Sequence, residues 1–250
     1  RGDLKERKNS YSDFYTRLFT DGWEESVIKK IAFMTGGGDC AGINAFIAAA
    51  VKNGTKDHDL EFVGIRKAFE GAAADDLEKY LVPLDLKSVE GLEVKPSTIL
   101  ASSRFNPFSP ENIERRYPEK ILKNLKRIGV DAVLATGGND TIKSAMGLFE
   151  RGFPVVAAPK SIDNDVSGTD TMLGFKTAVA FGAEAFRSTV ESARTHHRIS
   201  LVEIMGRDSG WLTLETGIAG GADLILIPEK PVDLEQLTER IRRLFRDQYQ

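Results

Sequence analysis

With 250 residues, 41% of them hydrophobic, the chain carries enough apolar side chain for one large core or two modest ones. Its net charge of −3, with Lys and Arg spread along its length, gives no support for a nucleic-acid groove or a membrane surface, and no run approaches the roughly 18 apolar residues of a bilayer span. The single cysteine, Cys40, excludes an internal disulfide framework and suits a cytoplasmic protein.

The chain opens on Arg1 and stops at Gln250 inside an apparent helix, which reads as a piece of a longer polypeptide. Residues 1–29 are polar with scattered aromatics (Tyr11, Phe14, Tyr15, Phe19, Trp23), the pattern of an amphipathic arm laid on a domain or a partner subunit. Ile31 to Met34 predict a short strand running into Thr35-Gly36-Gly37-Gly38-Asp39-Cys40-Ala41-Gly42, and Ile43 to Val51 predict an Ala-rich helix. Strand, glycine loop and helix make an anion site, because glycines let backbone N–H groups approach phosphate oxygens and the helix N-terminus adds partial positive charge.

Gly36, Gly38 and Ala41 also satisfy the dinucleotide pattern G-x-G-x-x-A. That fingerprint wants an acidic residue about 20 positions on, at the end of the second strand. The predicted second strand, Phe62 to Ile65, ends instead in Arg66-Lys67, which counts against a dehydrogenase.

Residues 70–100 carry no clear pattern. Ser97 to Arg104 place small hydroxyl residues and an arginine after a short apolar run, and arginine can grip a phosphate bidentately. Ser109-Pro110 predict a helix start whose apolar face is Ile113, Ile121, Leu122, Leu125 and Ile128. Another buried strand, Asp131 to Thr136, ends in Gly137-Gly138-Asn139-Asp140-Thr141 and opens a helix from Ile142 to Phe149.

A third apolar run, Phe153 to Ala158, predicts a buried parallel strand leading into Pro159-Lys160-Ser161-Ile162-Asp163-Asn164-Asp165, a segment too polar for core. A cation and two carboxylates at i and i+2 suit general-base chemistry beside a phosphate, although Asp and Asn also form ordinary solvated turns. Three strands ending in Gly-rich or acidic loops at one sheet edge argue for a shared phosphate crevice.

Beyond Gly174 a long helix is expected through about Arg194, then a strand Ile199 to Ile204, a second apolar strand Leu224 to Ile227, and an amphipathic helix from Val232 to about Arg246. His196 and His197 read as a solvated pair rather than a metal site, since adjacent histidines point apart in a strand.

On Gly37 to Asn44, Ala101 to Arg104, Gly137 to Thr141, Pro159 to Asp170, Arg198 to Gly210 and Gly220 to Glu229, which occur in family order, the chain resembles the phosphofructokinase family. The resemblance implies an α/β protein of two Rossmann-like lobes with parallel sheets covered by helices, the second lobe incomplete. Residues 30–173 would be the phosphoryl-donor lobe and 174–250 the sugar-phosphate lobe, with the family's last sugar-phosphate residues lying beyond Gln250.

The implied reaction moves a phosphoryl group to the 1-hydroxyl of fructose 6-phosphate with Mg²⁺. Asp163 would be the base, with Lys160 and Asp165 beside it and Asp163 and Asp165 near the metal. Gly37, Arg104, Gly138, Asn139, Asp140 and Thr141 would face the donor. Ser161, Met205, Gly206, Arg207 and Glu229 would hold the sugar phosphate, and Arg198 would reach into a neighbouring site of a homo-oligomer.

Asp140 and Lys160 resemble the diphosphate-dependent branch, because ATP-using members typically carry glycine at the first position. An aspartate there fills space and repels an α-phosphate. Asn139 stands where the family usually has an Asp that helps hold Mg²⁺, and a neutral amide is a poorer ligand for a hard cation. An ATP-dependent enzyme and a catalytically weak regulatory subunit are the alternatives.

Overall fold

The computed structural model describes residues 28–249. The arm read over residues 1–29 falls almost wholly outside them.

Six strands form one twisted sheet: β1 (Lys30–Thr35), β2 (Glu61–Ile65), β3 (Leu81–Leu84), β4 (Ala132–Gly137), β5 (Val155–Ser161) and β6 (Leu173–Gly174). Their order is β3-β2-β1-β4-β5-β6, parallel throughout except that β3 runs antiparallel to β2. The antiparallel edge strand departs from the all-parallel expectation, and its Pro83 is tolerated because an edge strand can spare a donor.

Strand alternation sends side chains to both faces. Ala32 and Met34 join Val63, Ile65, Val133 and Ala135 in one buried cluster, while Phe33 joins Ile43, Ile47, Val51, Phe62 and Leu100 in the other. Helix α1 (Ile43–His58) supplies Ile43, Ile47 and Val51 to the second cluster. Helix α2 (Ala68–Ala72) covers the first, joined there by Ile121, Leu125, Ala145 and Leu148 of two later helices. The sheet is therefore a packed layer between helices, which is what a parallel arrangement requires.

The helix expected from Ser109 to Ile128 is two helices, α3 (Pro110–Glu114) and α4 (Tyr117–Arg127), broken where Arg116 takes a left-handed φ of 58°. Ser109 caps α3 through its side chain as expected, but Ile113 points outward, 44% exposed, so only Ile121 and Leu125 are fully buried from that face. Helix α5 (Asn139–Phe149) begins three residues earlier than expected, directly on the second glycine turn.

Helices α6 (Phe175–Thr195), α7 (Trp211–Gly220) and α8 (Leu234–Tyr249) follow the sheet. Phe175, Val179 and Leu212 form a small core of their own. The strands expected at Ile199 to Ile204 and Leu224 to Ile227 are not formed: both segments lack regular secondary structure, and among the described residues neither has a ladder partner. Apolar alternation makes a segment strand-like, but a strand exists only where another accepts its hydrogen bonds. Strand β5 also differs from the buried strand expected, since Val156 is 65% exposed and the strand runs on through Lys160 and Ser161.

Two glycines fix the junction of β1 and β4. A Cβ on Gly36 would lie 2.5 Å from Thr141 Oγ1, and one on Gly137 2.3 Å from the same atom. Thr141, 6% exposed, is thus wedged between the two strand ends. Gly36→Ala is expected to destabilise the protein by about 1–3 kcal/mol through overpacking. Because Thr141 Oγ1 and Cγ2 are the nearest obstacles, Gly36→Ala with Thr141→Ala should recover part of that loss in a denaturation double-mutant cycle; strictly additive effects would contradict the wedge.

Candidate active site

The strand order reverses between β1 and β4, and open α/β sheets bind ligands at the carboxyl ends of strands at such a point. Both glycine loops leave from there. Gly36 N–H donates to Thr136 O across the gap at 2.9 Å, and Gly37 N–H donates to Ser103 O at 3.0 Å, which ties in the Ser97 to Arg104 loop. Ser102 Oγ donates to Gly37 O from the same loop. Gly37 needs its φ of +78°, and the position its Cβ would take lies 3.6 Å from both Gly138 N and Lys160 Nζ.

Lys160 is the cation at this meeting point. The polarity of Pro159 to Asp165 suggested a solvent-facing segment, yet Lys160 belongs to β5 and is only 2% exposed. Its ammonium donates to Gly38 O. Among the described residues no carboxylate is in ion-pair contact with it. Burial lowers its proton affinity and exposed Arg104 adds to that, while Asp39 opposes them. The adjacent Cys40 is packed beneath Gly174, where burial pushes its thiol up to about 11, so it stays protonated at neutral pH.

Beyond β5 the chain turns into a polar cleft lined by Asn139, Asp165, Arg207, Ser209, Trp211 and Glu229 among others. Asp163 directly precedes Asn164 and Asp165, both of which line the cleft. Its backbone N–H donates to Ser161 Oγ at 3.0 Å, and its carbonyl accepts from Ser209 Oγ at 2.9 Å. Its side-chain Oδ1 is buried without a hydrogen-bond partner among the described residues. Burial is the main reason its proton affinity is raised; Asp165 adds to the rise and Arg207 opposes it. A carboxylate that is partly desolvated and unpaired is a better base than a solvated one.

Asp165, two residues on, accepts a hydrogen bond from Asn139 Nδ2 at 2.8 Å. Asp163 and Asp165 are the carboxylates that would hold Mg²⁺, and they fit it: both are hard oxygen donors, and one oxygen of Asp163 is still unpartnered. Mg²⁺ usually takes one or two carboxylates and completes its shell with substrate phosphates and water. Among the described residues no group of three acidic, His or Cys side chains forms a complete cage.

The other expected residues separate into two places. Gly206 and Arg207 border the cleft, Gly206 with a φ of 149° where a Cβ would strike Ser209 O. Glu229 accepts from Gly210 N–H at 2.7 Å, which holds its carboxylate at the start of α7. Met205 is 72% exposed beside them. Asp140 is exposed on the first turn of α5, with no hydrogen bond or ion pair to its carboxylate among the described residues. Arg198 is not in the cleft at all; it lines an apolar groove between α6, α7, α8 and the two irregular segments that follow α6 and α7.

Sequence reasoning missed Ser209, Trp211 and Asn164. Asn164 adopts φ 52°, and its side chain donates to Asp170 O and accepts from Met172 N–H, closing the loop over the cleft. An Asn between two Asp residues is a recognisable candidate for that left-handed position.

The phosphofructokinase family model matches residues 30–250. The chain belongs to the phosphofructokinase family. It is 43% identical over 220 residues to a pyrophosphate–fructose 6-phosphate 1-phosphotransferase of Amycolatopsis methanolica, covering 88% of this chain and 62% of that protein. It is 40% identical over 223 residues to an ATP-dependent 6-phosphofructokinase 2 of Clostridium perfringens, covering 86% and 60%. The chain thus spans about three fifths of the length of these curated relatives. Among solved structures, phosphofructokinase from Saccharomyces cerevisiae superposes with a TM-score of 0.76 at 31% identity, covering 86% of this chain and 32% of that one.

The raised proton affinity of Asp163 has a stability consequence. The folded state holds the proton to higher pH than the unfolded chain, whose ordinary value is 3.8, so stability falls as pH rises through that interval and the ionised form carries the cost above it. Asp163→Asn should therefore gain stability relative to wild type between acidic and neutral pH in denaturant titrations. A constant difference across that range would contradict the desolvation of Asp163.

Proposed function

We propose that the chain carries the catalytic loops of a diphosphate-dependent 6-phosphofructokinase, which moves a phosphoryl group from diphosphate to the 1-hydroxyl of fructose 6-phosphate. The observation that carries this is the buried ammonium of Lys160 at the junction of the two glycine loops, on the same segment that runs on into the polar cleft at Asn164 and Asp165. A small, multiply charged anionic donor lying across Gly37 and Gly138 meets backbone N–H groups, the N-terminus of α5 and the Lys160 point charge together.

In this reading Asp163 accepts the proton of the sugar hydroxyl as that oxygen attacks the donor's terminal phosphorus, the bridging P–O bond breaks and orthophosphate leaves. Lys160 stabilises the charge on the transferred group, and Arg207 with Glu229 orients the sugar. Mg²⁺, held by Asp163 and Asp165 with donor oxygens, would neutralise charge on the phosphates. Arg198, outside this cleft, would serve a neighbouring subunit's site in a homo-oligomer. Thr141 supports the donor loops by packing between them.

For the donor, the Asp140 carboxylate sits at the mouth of the second loop, where it would crowd and repel the α-phosphate of a nucleotide. The names of similar proteins include both donors, so the ATP-dependent reading stays as the second one. Asp163→Asn should lower kcat by a factor on the order of 10²–10⁴ while fructose 6-phosphate still binds, because proton acceptance and one charged metal ligand are lost while Arg207 and Glu229 remain to hold the sugar. For the donor, kcat/KM on the full-length protein should favour diphosphate over ATP, and Asp140→Gly should shift the ratio toward ATP. Preference for ATP in the wild type would give the second reading its place.

A further inference from the structure

Both ends of Gly37 are held by one loop. Its N–H donates to Ser103 O at 3.0 Å and its carbonyl accepts from Ser102 Oγ, so residues 102–103, and not β1 alone, set the place where the donor would lie. Ser103 is held in turn by a residue outside every motif of the site. Its hydroxyl donates to Glu70 Oε2 at 2.6 Å, and the same oxygen accepts from Phe105 N–H at 3.0 Å. A hydroxyl has one proton to give. With that proton committed to Glu70, a lone pair is left for Phe105, and the turn that carries Arg104 between Ser103 and Phe105 is closed.

Glu70 stands on a braced support. It lies on α2, a short helix entered through two successive left-handed residues, Lys67 at φ 59° and Ala68 at φ 48°. Residues other than glycine stay in that conformation only where the surroundings hold them, and such strain collects at ligand sites. Here Lys67 N–H donates to Leu100 O at 2.9 Å, which ties the start of α2 to the segment leading into Ser103. A Cβ on Gly71 would lie 2.0 Å from Arg66 O, so α2 sits directly on the end of β2. Lys67 Nζ pairs with Glu70 Oε1 at 3.0 Å and leaves Oε2 for Ser103. The Ser103 hydroxyl, and after it the Lys67 ammonium, hold the Glu70 carboxyl below its ordinary 4.5, so the contact is made by the ionised form at neutral pH.

We propose that Glu70 is a positioning residue for the phosphoryl donor: through Ser103 it fixes Gly37 and Arg104, and it does so as a hydrogen-bond acceptor. The inference rests on the donor site proposed above and adds to it a residue that acts only through Ser103. Without Glu70 the Ser103 hydroxyl is free to rotate, and the turn bearing Arg104 and the carbonyl that holds Gly37 N–H lose their common anchor. Small displacements of groups that grip a phosphate weaken binding without altering the sugar side of the cleft.

The test is calorimetric binding of inorganic diphosphate to the full-length protein, with melting temperatures and the KM for fructose 6-phosphate, for wild type, Glu70→Leu, Glu70→Gln, Ser103→Ala and Glu70→Leu with Ser103→Ala. Glu70→Leu and Ser103→Ala should each weaken diphosphate about 10-fold or more, with KM for fructose 6-phosphate within about 2-fold of wild type. The double variant should be no worse than either single one, because both remove the same contact. Glu70→Gln keeps a carbonyl oxygen for Ser103 and should stay within about 3-fold of wild type. A lowered melting temperature with unchanged diphosphate affinity would make Glu70 a structural brace only and overturn the inference, as would additive losses or equal losses in Glu70→Gln and Glu70→Leu. Should Glu70→Leu fail to fold, Ser103→Ala and Glu70→Gln decide the question by the same readings. A wild type that binds ATP and not diphosphate would overturn the donor proposed above, and the same variants are then compared on ATP; a wild type that binds neither would overturn both.

Discussion

The contact between the Lys160 ammonium and the carbonyl of Gly38 joins the parts of this structure that would otherwise be independent. Lys160 comes from β5, Gly38 from the loop after β1, and the β4 loop closes the third side with Gly138 N near the same point. A lysine 2% exposed and without an ion pair among the described residues is expensive, because burial disfavours its charged form. Such a cation is kept where an anion is to be met, and here the surrounding groups are backbone amides on glycine loops. The sheet exists in the right order to present them: β1 and β4 are neighbours at the reversal, and β5 is the next strand along.

Asp163 sits at the other end of the same short segment under a different constraint. Two residues, Ser161 and Ile162, separate it from Lys160, enough for the chain to leave β5 and turn toward the cleft. Its backbone is fixed by Ser161 and Ser209, so the side chain is aimed by hydrogen bonds to the main chain while one carboxylate oxygen stays unpaired. A group held by its backbone and left unsatisfied at its tip is arranged for a ligand or a proton. The cost in stability and the use in catalysis come from one arrangement.

Much of this was legible because glycine turns and short apolar strands are local signals. The β1, β2 and β4 strands, the two glycine loops and the long helix α6 follow from periodicity and from where Gly must stand. What was hidden is non-local. Lys160 reads as solvent-facing because charge usually is, and only the packing of β5 against β4 and β6 buries it. The Asn139–Asp165 bond joins residues that no spacing rule connects. Ile113 fits the helical period of α4, but the chain breaks at Arg116 and leaves it exposed. Ile199 to Ile204 and Leu224 to Ile227 have strand composition, and composition cannot supply the neighbour that would make them strands. The antiparallel β3 arose from a stretch whose Gly, Ala and Asp content carried no period at all.

The central claim is that Lys160 is the charge that receives the donor between the glycine loops. Its most direct test is calorimetric binding of inorganic diphosphate to the full-length protein, wild type against Lys160→Met, with thermal melting recorded alongside. The account predicts diphosphate affinity weakened by about 10-fold or more, the scale of a lost charge-assisted hydrogen bond, with a melting temperature retained or raised because a buried charge has been removed. Unchanged diphosphate affinity in a folded Lys160→Met protein would contradict it.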